Sequence, residues 1–597
     1  MKAESPYETN VSSRPGGAVR LGIALSLLLL ALPAAAAGQA PDGPLTRAEA
    51  SDYVETSTYD DVLTFLDAVG GEDLHVGAFG YSYEGRRLPL VVWGASDATP
   101  AAVRTAGKTR VLVMANIHAG EVEGKEAALD LLREIAGGQH TAWRDSLVLM
   151  VAPIYNADGN EQVRLDNRPD QLGPVGGMGQ RPNAQGYDLN RDYMKLETPE
   201  ARALVRLFTE YDPHATIDLH TTNGTYHGYH LTYSPPLHPG TDPQVVTLAR
   251  ERWLPEVTAA LAPEWSMWHY GNLPRDEGFE APPGWYTFSH QPRFGNNYIG
   301  LRNRFGLLSE AYAYLPFRER IDVTRRFVEG LLDFAAENAG EVRRIAEAAD
   351  ARDLSGTELP VRAVHACGPE VEILMGDVAV ERHPYTGERM LRRLAVQRPE
   401  TMPDCTSFRG TETSRVPTIW IVPSGLEPAI ERLEAHGIRS LTLTAPLTLD
   451  VEAFTIMSST QSEREFQKHR ERTLEGRWDP VRETLPAGTI VIPTAQPLGR
   501  LAFYLLDPRS DDGLVAWNVL DEALEGAGRY PILRAPSPLP PGTYREREPN
   551  TSGISSGRKY VIATMQQLRP GPNDAVSAIR EGHASGSDRR GTYSASQ

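Results

Sequence analysis

The feature that most constrains this chain is the regular alternation of apolar runs with amphipathic segments between residues 56 and 350. TRVLVMAN (Thr109 to Asn116), LVLMVA (Leu147 to Ala152), HATIDLH (His214 to His220) and FGLLSEAYAY (Phe305 to Tyr314) are short, apolar and bounded by turn residues, as buried strands are. Between and around them lie TSTYDDVLTFLDAVGG (Thr56 to Gly71), GKEAALDLLREIAGG (Gly124 to Gly138) and ETPEARALVRLFTEY (Glu197 to Tyr211), whose apolar residues recur at helical spacing. Two of them stop on glycines. A further helical stretch is expected from Arg318 to about Asp350. Strands alternating with helices predict an α/β fold, a mixed sheet with helices on both faces.

Beyond about Asp353 the texture changes. EVEILMGDVAVER, VPTIWIVPSG, RSLTLTA, VEAFTIMSS, AGTIVIPT and QPLGRLAFYLLDP read as strand-like, with one short helix at EPAIERLEAHG. A smaller accessory region of α+β or β-rich kind is expected over residues 351–568, after a catalytic region at 50–350. The last segment, 569–597, is rich in Gly, Ser, Arg and Asp without apolar pattern and reads as a disordered tail. With 597 residues two or more domains are expected, and the 41% hydrophobic content permits sizeable cores.

The N-terminus offers Arg14 and Arg20, the apolar run Leu21 to Ala37, and small residues to Ala40, the layout of a signal peptide over residues 1–40. Export to a secreted or periplasmic location follows, with no stable membrane span after cleavage, since no later run is long and apolar enough. An excess of 78 acidic over 60 basic residues, net −18, argues against nucleic acid as a partner. The only cysteines, Cys367 and Cys405, can form one disulfide or stand apart. Oligomeric state leaves no trace in the sequence.

In open α/β sheets ligands gather beyond the carboxyl ends of strands. Three strand ends carry polar residues suited to catalysis: His118 and Glu121 in NIHAGEVEG, His220 in IDLHTTN, and Glu310 in LLSEAY. Two histidines and a glutamate are a donor set that zinc accepts, with a fourth position left for water. By itself the His-x-x-Glu spacing also suits a helix-start histidine beside a solvated glutamate.

Those stretches, together with NADG (Asn156 to Gly159) and GQRPNAQGYDLNRDY (Gly179 to Tyr193), resemble in content and order the zinc carboxypeptidases of the M14 family, over about Tyr53 to Ala336. The resemblance implies a zinc carboxypeptidase-like catalytic domain with one Zn2+ held by His118, Glu121 and His220. It also implies Glu310 as general acid/base, Arg181 as the arginine that polarises the scissile carbonyl, and Asn190 and Arg191 as the grip on a peptide's free C-terminus. For the family's mobile tyrosine, Tyr286 and Tyr298 compete. His227 and His230 in TYHGYH are alternative ligands or pocket residues, and Arg302 and Arg304 could sense an acidic substrate group or pair with carboxylates. The implied activity is hydrolysis of C-terminal peptide bonds by an exported enzyme. An amidohydrolase or deacylase acting on N-acylated amino acids or cell-wall peptides, and a non-catalytic peptide- or glycan-binding protein on the same scaffold, are the alternatives.

Overall fold

A computed structural model describes residues 43–547 except 278–279, so the expected signal peptide and tail lie outside the described residues. Eight strands build the principal sheet: β1 (Leu74–Tyr81), β2 (Arg87–Trp93), β3 (Thr109–Ala115), β4 (Leu147–Ala152), β5 (Ala215–Thr222), β6 (Leu231–Ser234), β7 (Met267–His269) and β8 (Phe305–Tyr312). Their order is β1-β2-β4-β3-β5-β8-β6-β7. The central strands β4, β3, β5 and β8 run parallel to one another, while β2 and β6 join them antiparallel, so the sheet is mixed as expected. Both faces are covered: every residue of β4 and β5 is buried, as sheets with helices on both sides require.

The helices that matter to the site are α1 (Glu123–Ala136), α2 (Pro199–Glu210), α3 (Gly295–Leu301) and α4 (Phe317–Glu337). Helix α1 springs from the loop after β3 and lies against β5. A Cβ on Gly124 would sit 2.6 Å from Leu219 Cβ, so only glycine permits that approach. The helical stretch expected from 318 to 350 is two helices, α4 and Ala339–Asp350. They break at Asn338, whose side-chain amide donates to Phe334 O (3.0 Å) and competes with the backbone ladder.

After residue 357 a second, seven-stranded sheet forms, with strands at Ile419–Val422, Leu441–Leu443, Leu447–Gln461, Arg472–Leu485, Ile490–Pro493, Leu533–Ala535 and Tyr544–Glu546. Two two-stranded sheets, one of them a hairpin (Val378–Arg382 with Arg389–Arg393), and a three-stranded sheet accompany it. GRLAFYLL (Gly499–Leu506), expected as strand-like, is a helix buried on all sides. Uniform apolarity erases the periodicity that separates the two states. One hydrophobic cluster runs from Val111 and Leu219 through to Trp420, Phe454 and Phe503, so the two sheets share a core. Cys367 and Cys405 are joined in a disulfide. No helix among the described residues is long and apolar enough to cross a membrane.

Candidate active site

The register of the parallel strands assembles the site. His220 on β5 lies directly beside Glu310 on β8, and β3, on the other flank of β5, delivers the NIHAGE loop at its carboxyl end. The loop turns at once: Asn116 takes φ 65° and Glu121 N donates to His118 O at 2.9 Å, which folds Glu121 back toward the sheet. Gly179 fixes the loops together. A Cβ there would lie 2.5 Å from Gly159 O and 2.7 Å from Ala119 O, so the NADG, HAGE and GQR segments can meet only at a glycine.

His118, Glu121 and His220 are buried, and one donor atom from each lies within 4.8 Å of the others. Glu121 Oε1 is 3.1 Å from His118 Nδ1, and its Oε2 is 2.9 Å from His220 Nδ1. The far nitrogen of each ring meets a carboxylate: His118 Nε2 is 3.0 Å from Asp188 Oδ1, and His220 Nε2 is 3.1 Å from Asp218 Oδ2. Outer carboxylates of this kind fix the tautomer that leaves Nδ1 to coordinate. His118 Nδ1 is buried and, although 3.1 Å from Glu121 Oε1, makes no well-aligned hydrogen bond. A carboxylate and two imidazole nitrogens converging on one point, each ring backed by a carboxylate, fit zinc.

The electrostatics agree. Burial acts to raise the Glu121 pKa, but His118 and Arg168 beside it hold it well below the usual carboxylate range. Burial disfavours charge on His220, yet Asp218 and Glu121 push its pKa well above the ordinary value. The surroundings favour positive charge at this point, which a divalent cation supplies without a proton. Glu310 is pushed up to about 8, chiefly by burial, with His220 opposing and Glu121 adding to the rise.

These residues open onto a cleft of about 660 Å³ that also takes in Arg168, Arg181, Asn190 and Arg191. Arg181 donates to Asp188 Oδ2 (3.0 Å from Nε) and approaches Glu121 Oε1 at 3.6 Å. Asn190 Oδ1 accepts from Gly295 N (2.9 Å), so its amide N–H groups are what it can offer a ligand. The Arg191 guanidinium stacks 3.8 Å above the Phe294 ring, and burial lowers its pKa to about 10, well above neutrality. The cleft therefore holds a candidate metal set, a carboxyl of raised pKa and three cationic forks.

Neither expected tyrosine lines the cleft. Tyr298 is wholly buried in α3, its hydroxyl 2.8 Å from His436 Nδ1 and its ring against Tyr193 and Phe208. Helix α3 turns it away from the cavity and into the seam with the second region. Tyr286 is paired beside Cys405 and packs behind His365, one layer from the cleft. The tyrosine that does line it is Tyr270. His227 stacks on Tyr312, and His230 bonds Ser266; neither joins the metal group. Arg304 pairs with Asp212 and Asp350, and Arg302 donates to His436 O and Thr209, both beside a separate cavity of about 540 Å³.

Four participants went unread in the sequence. Asp188 and Asp218 each stand two residues before a recognised one, in YDLNRD and IDLH, and a strand's period of two puts Asp218 and His220 on the same face. Arg168 donates to Glu121 Oε1 (2.9 Å) and Thr221 O (3.1 Å), and nothing local marks it. The fourth contribution comes from the second region, whose Val364, His365 and Phe408 form part of the cleft wall.

The family model for zinc carboxypeptidases, peptidase M14, matches residues 65–252, a span that includes all three candidate zinc ligands and ends before Glu310. Carboxypeptidase 2 of Trichophyton equinum is 23% identical over 483 residues, covering 76% of this chain and 81% of that protein. Carboxypeptidase 2 of Trichophyton tonsurans matches to the same extent. Among solved structures, a metallo-carboxypeptidase from Burkholderia cenocepacia aligns at a TM-score of 0.36 with 17% identity, over 47% of this chain and 69% of that one.

Proposed function

We propose, from the match of residues 65–252 to the M14 zinc carboxypeptidase model and the likeness to relatives named carboxypeptidase 2, that this hydrolase of the metallocarboxypeptidase class is an exported enzyme that removes C-terminal residues from peptides with a free carboxylate. The observation that carries the reading is the shared cleft: the His118, Glu121 and His220 group, Glu310, and the Asn190 and Arg191 pair all face it.

Each residue has a separate task. Arg191 presents a planar fork that pairs with the terminal carboxylate, and the Asn190 amide adds a hydrogen bond, so a blocked C-terminus loses the charge that both recognise. Phe294 holds the guanidinium flat from beneath. Zinc, when held by His118, Glu121 and His220, supplies Lewis acidity, polarising a carbonyl and acidifying water. Arg181 donates to the carbonyl oxygen as negative charge develops on it, while Asp188 keeps the guanidinium aimed. Glu310 accepts the proton of the attacking water and returns it to the departing amine. Arg168 neutralises Glu121 and closes the wall behind it.

The test is mass-spectrometric profiling of a peptide library with free and amidated C-termini. Stepwise loss of C-terminal residues from the free peptides alone supports the proposal. Equal cleavage of amidated peptides, or release of internal fragments, would contradict it, and cleavage confined to N-acylated amino acids would mark a deacylase. Export is checked by N-terminal sequencing of the protein from cells, with a mature start near Ala37 or Ala40 expected.

A further inference from the structure

The second region does more than wall the cleft. Its longest hairpin, Leu447–Gln461 paired with Arg472–Leu485, ends in a tip that lies on the GYDLNRD loop. Gln467 Oε1 accepts a hydrogen bond from the backbone N–H of Asp188 at 3.0 Å. Lys468 Nζ donates to Gln185 O (2.8 Å) and sits 3.9 Å from the centre of the Tyr187 ring. His469 Nε2 is 2.8 Å from Glu197 Oε1.

Gln467 and Lys468 both adopt left-handed backbone, φ 49° and 65°, a conformation L residues seldom take in succession. Such a conformation persists when its surroundings impose it, and it is here that it aims the Gln467 side chain at Asp188. Asp188 is the residue on which the site converges: its carboxylate backs His118 Nε2 and holds Arg181, and its Oδ1 accepts from Asn190 N at 2.9 Å.

We propose that the hairpin tip of the second region is part of the active site, with Gln467 as a positioning residue that fixes Asp188 and, through it, His118 and Arg181. The proposal rests on the reading of His118 as a zinc ligand. Without the Gln467 acceptor the Asp188 loop gains a degree of freedom, and the ring it backs loses its alignment. Outer partners of zinc ligands are worth about 10–100-fold in metal affinity, and Gln467, one step further out, belongs at the lower end, about tenfold.

The experiment compares wild type, Gln467→Met, which keeps the side chain's length but has no comparable acceptor, and Gln467→Glu, which keeps an acceptor oxygen. Zinc dissociation constants are measured by competition with a chelator, alongside kcat and KM on a peptide with a free C-terminus. Gln467→Met is expected to bind zinc about tenfold more weakly with a lower kcat/KM at an unchanged thermal midpoint, and Gln467→Glu to recover most of both. Should Gln467→Met fail to fold, Gln467→Asn, one methylene too short to reach, carries the same expectation. Wild-type zinc affinity in the variant lacking the acceptor, or equal losses in the Met and Glu variants, would overturn the proposal. A wild-type protein that binds zinc and cleaves no peptide would instead defeat the peptidase reading and leave the positioning role standing.

Discussion

Asp188→Asn probes the site at the carboxylate that links His118, Arg181 and Asn190. The substitution preserves shape and removes one charge from a group that touches His118 Nε2 at 3.0 Å, Arg181 Nη2 at 2.9 Å and Asn190 N at 2.9 Å. Arg181, His118 and Arg191 outweigh the effect of burial and hold the Asp188 carboxyl well below its ordinary pKa, so it is a carboxylate at any working pH. An asparagine can turn its oxygen toward His118 or toward Arg181 but not both, and the other partner then faces an NH2 group. Loss of the outer partner of a zinc-ligating histidine costs about 10–100-fold in metal affinity, roughly 1.4–2.7 kcal/mol. The Arg181 pair adds no more than about 1 kcal/mol, because the arginine side chain is 42% exposed and solvent screens the interaction. Together kcat/KM should fall between about 10-fold and several hundred-fold, with zinc affinity accounting for most of it. Chelator competition for the metal and steady-state kinetics at saturating zinc separate the two contributions. Zinc affinity within twofold of wild type would refute the claim that Asp188 acts through His118.

Glu310→Gln should retain zinc and lose hydrolysis by about 10²–10⁴-fold, the usual contribution of a general base; zinc analysis with single-turnover kinetics checks both halves. Arg191→Ala should raise KM about 10–100-fold for peptides with a free C-terminus and abolish the preference for them over amidated ones, since a charged hydrogen-bonded pair contributes about 1.5–3 kcal/mol. Acid should destabilise the fold. Burial holds His227, His238 and His436 neutral with pKa values near 3, against about 6.5 in the unfolded chain, so below pH 6.5 the unfolded state takes up protons that the native state refuses. At pH 5 each costs about 2 kcal/mol. Asp130, raised by burial to about 7, works in the opposite direction and offsets roughly one of them. Urea midpoints should therefore fall between pH 6.5 and 5; a flat profile would show that these histidines are solvated.

What the sequence disclosed about the site follows from how local each signal is. A strand's end is a local event, so His118, His220 and Glu310 announced themselves where apolar runs stop, and the sheet's register then brought them together. Asp188 and Asp218 were legible in principle, because each sits two residues before a recognised one. Tyr298 misled because a tyrosine in a polar stretch gives no sign of facing inward until α3 packs it on His436, 138 residues away. Gln467 lies 279 residues from the backbone N–H it meets, in a region whose strands carry no catalytic motif. Only tertiary packing relates such pairs, and the same holds for Arg168, which reaches Glu121 from 47 residues further along the chain, beyond helix α1 and strand β4.

The central claim is that His118, Glu121 and His220 hold one zinc ion, and elemental analysis of the purified, dialysed protein tests it most directly. One equivalent of zinc per chain, falling to background in a His118→Ala, His220→Ala double variant of unchanged secondary structure, is the result expected. Zinc absent from the wild type after incubation with the metal, or bound as tightly by the double variant, would contradict it.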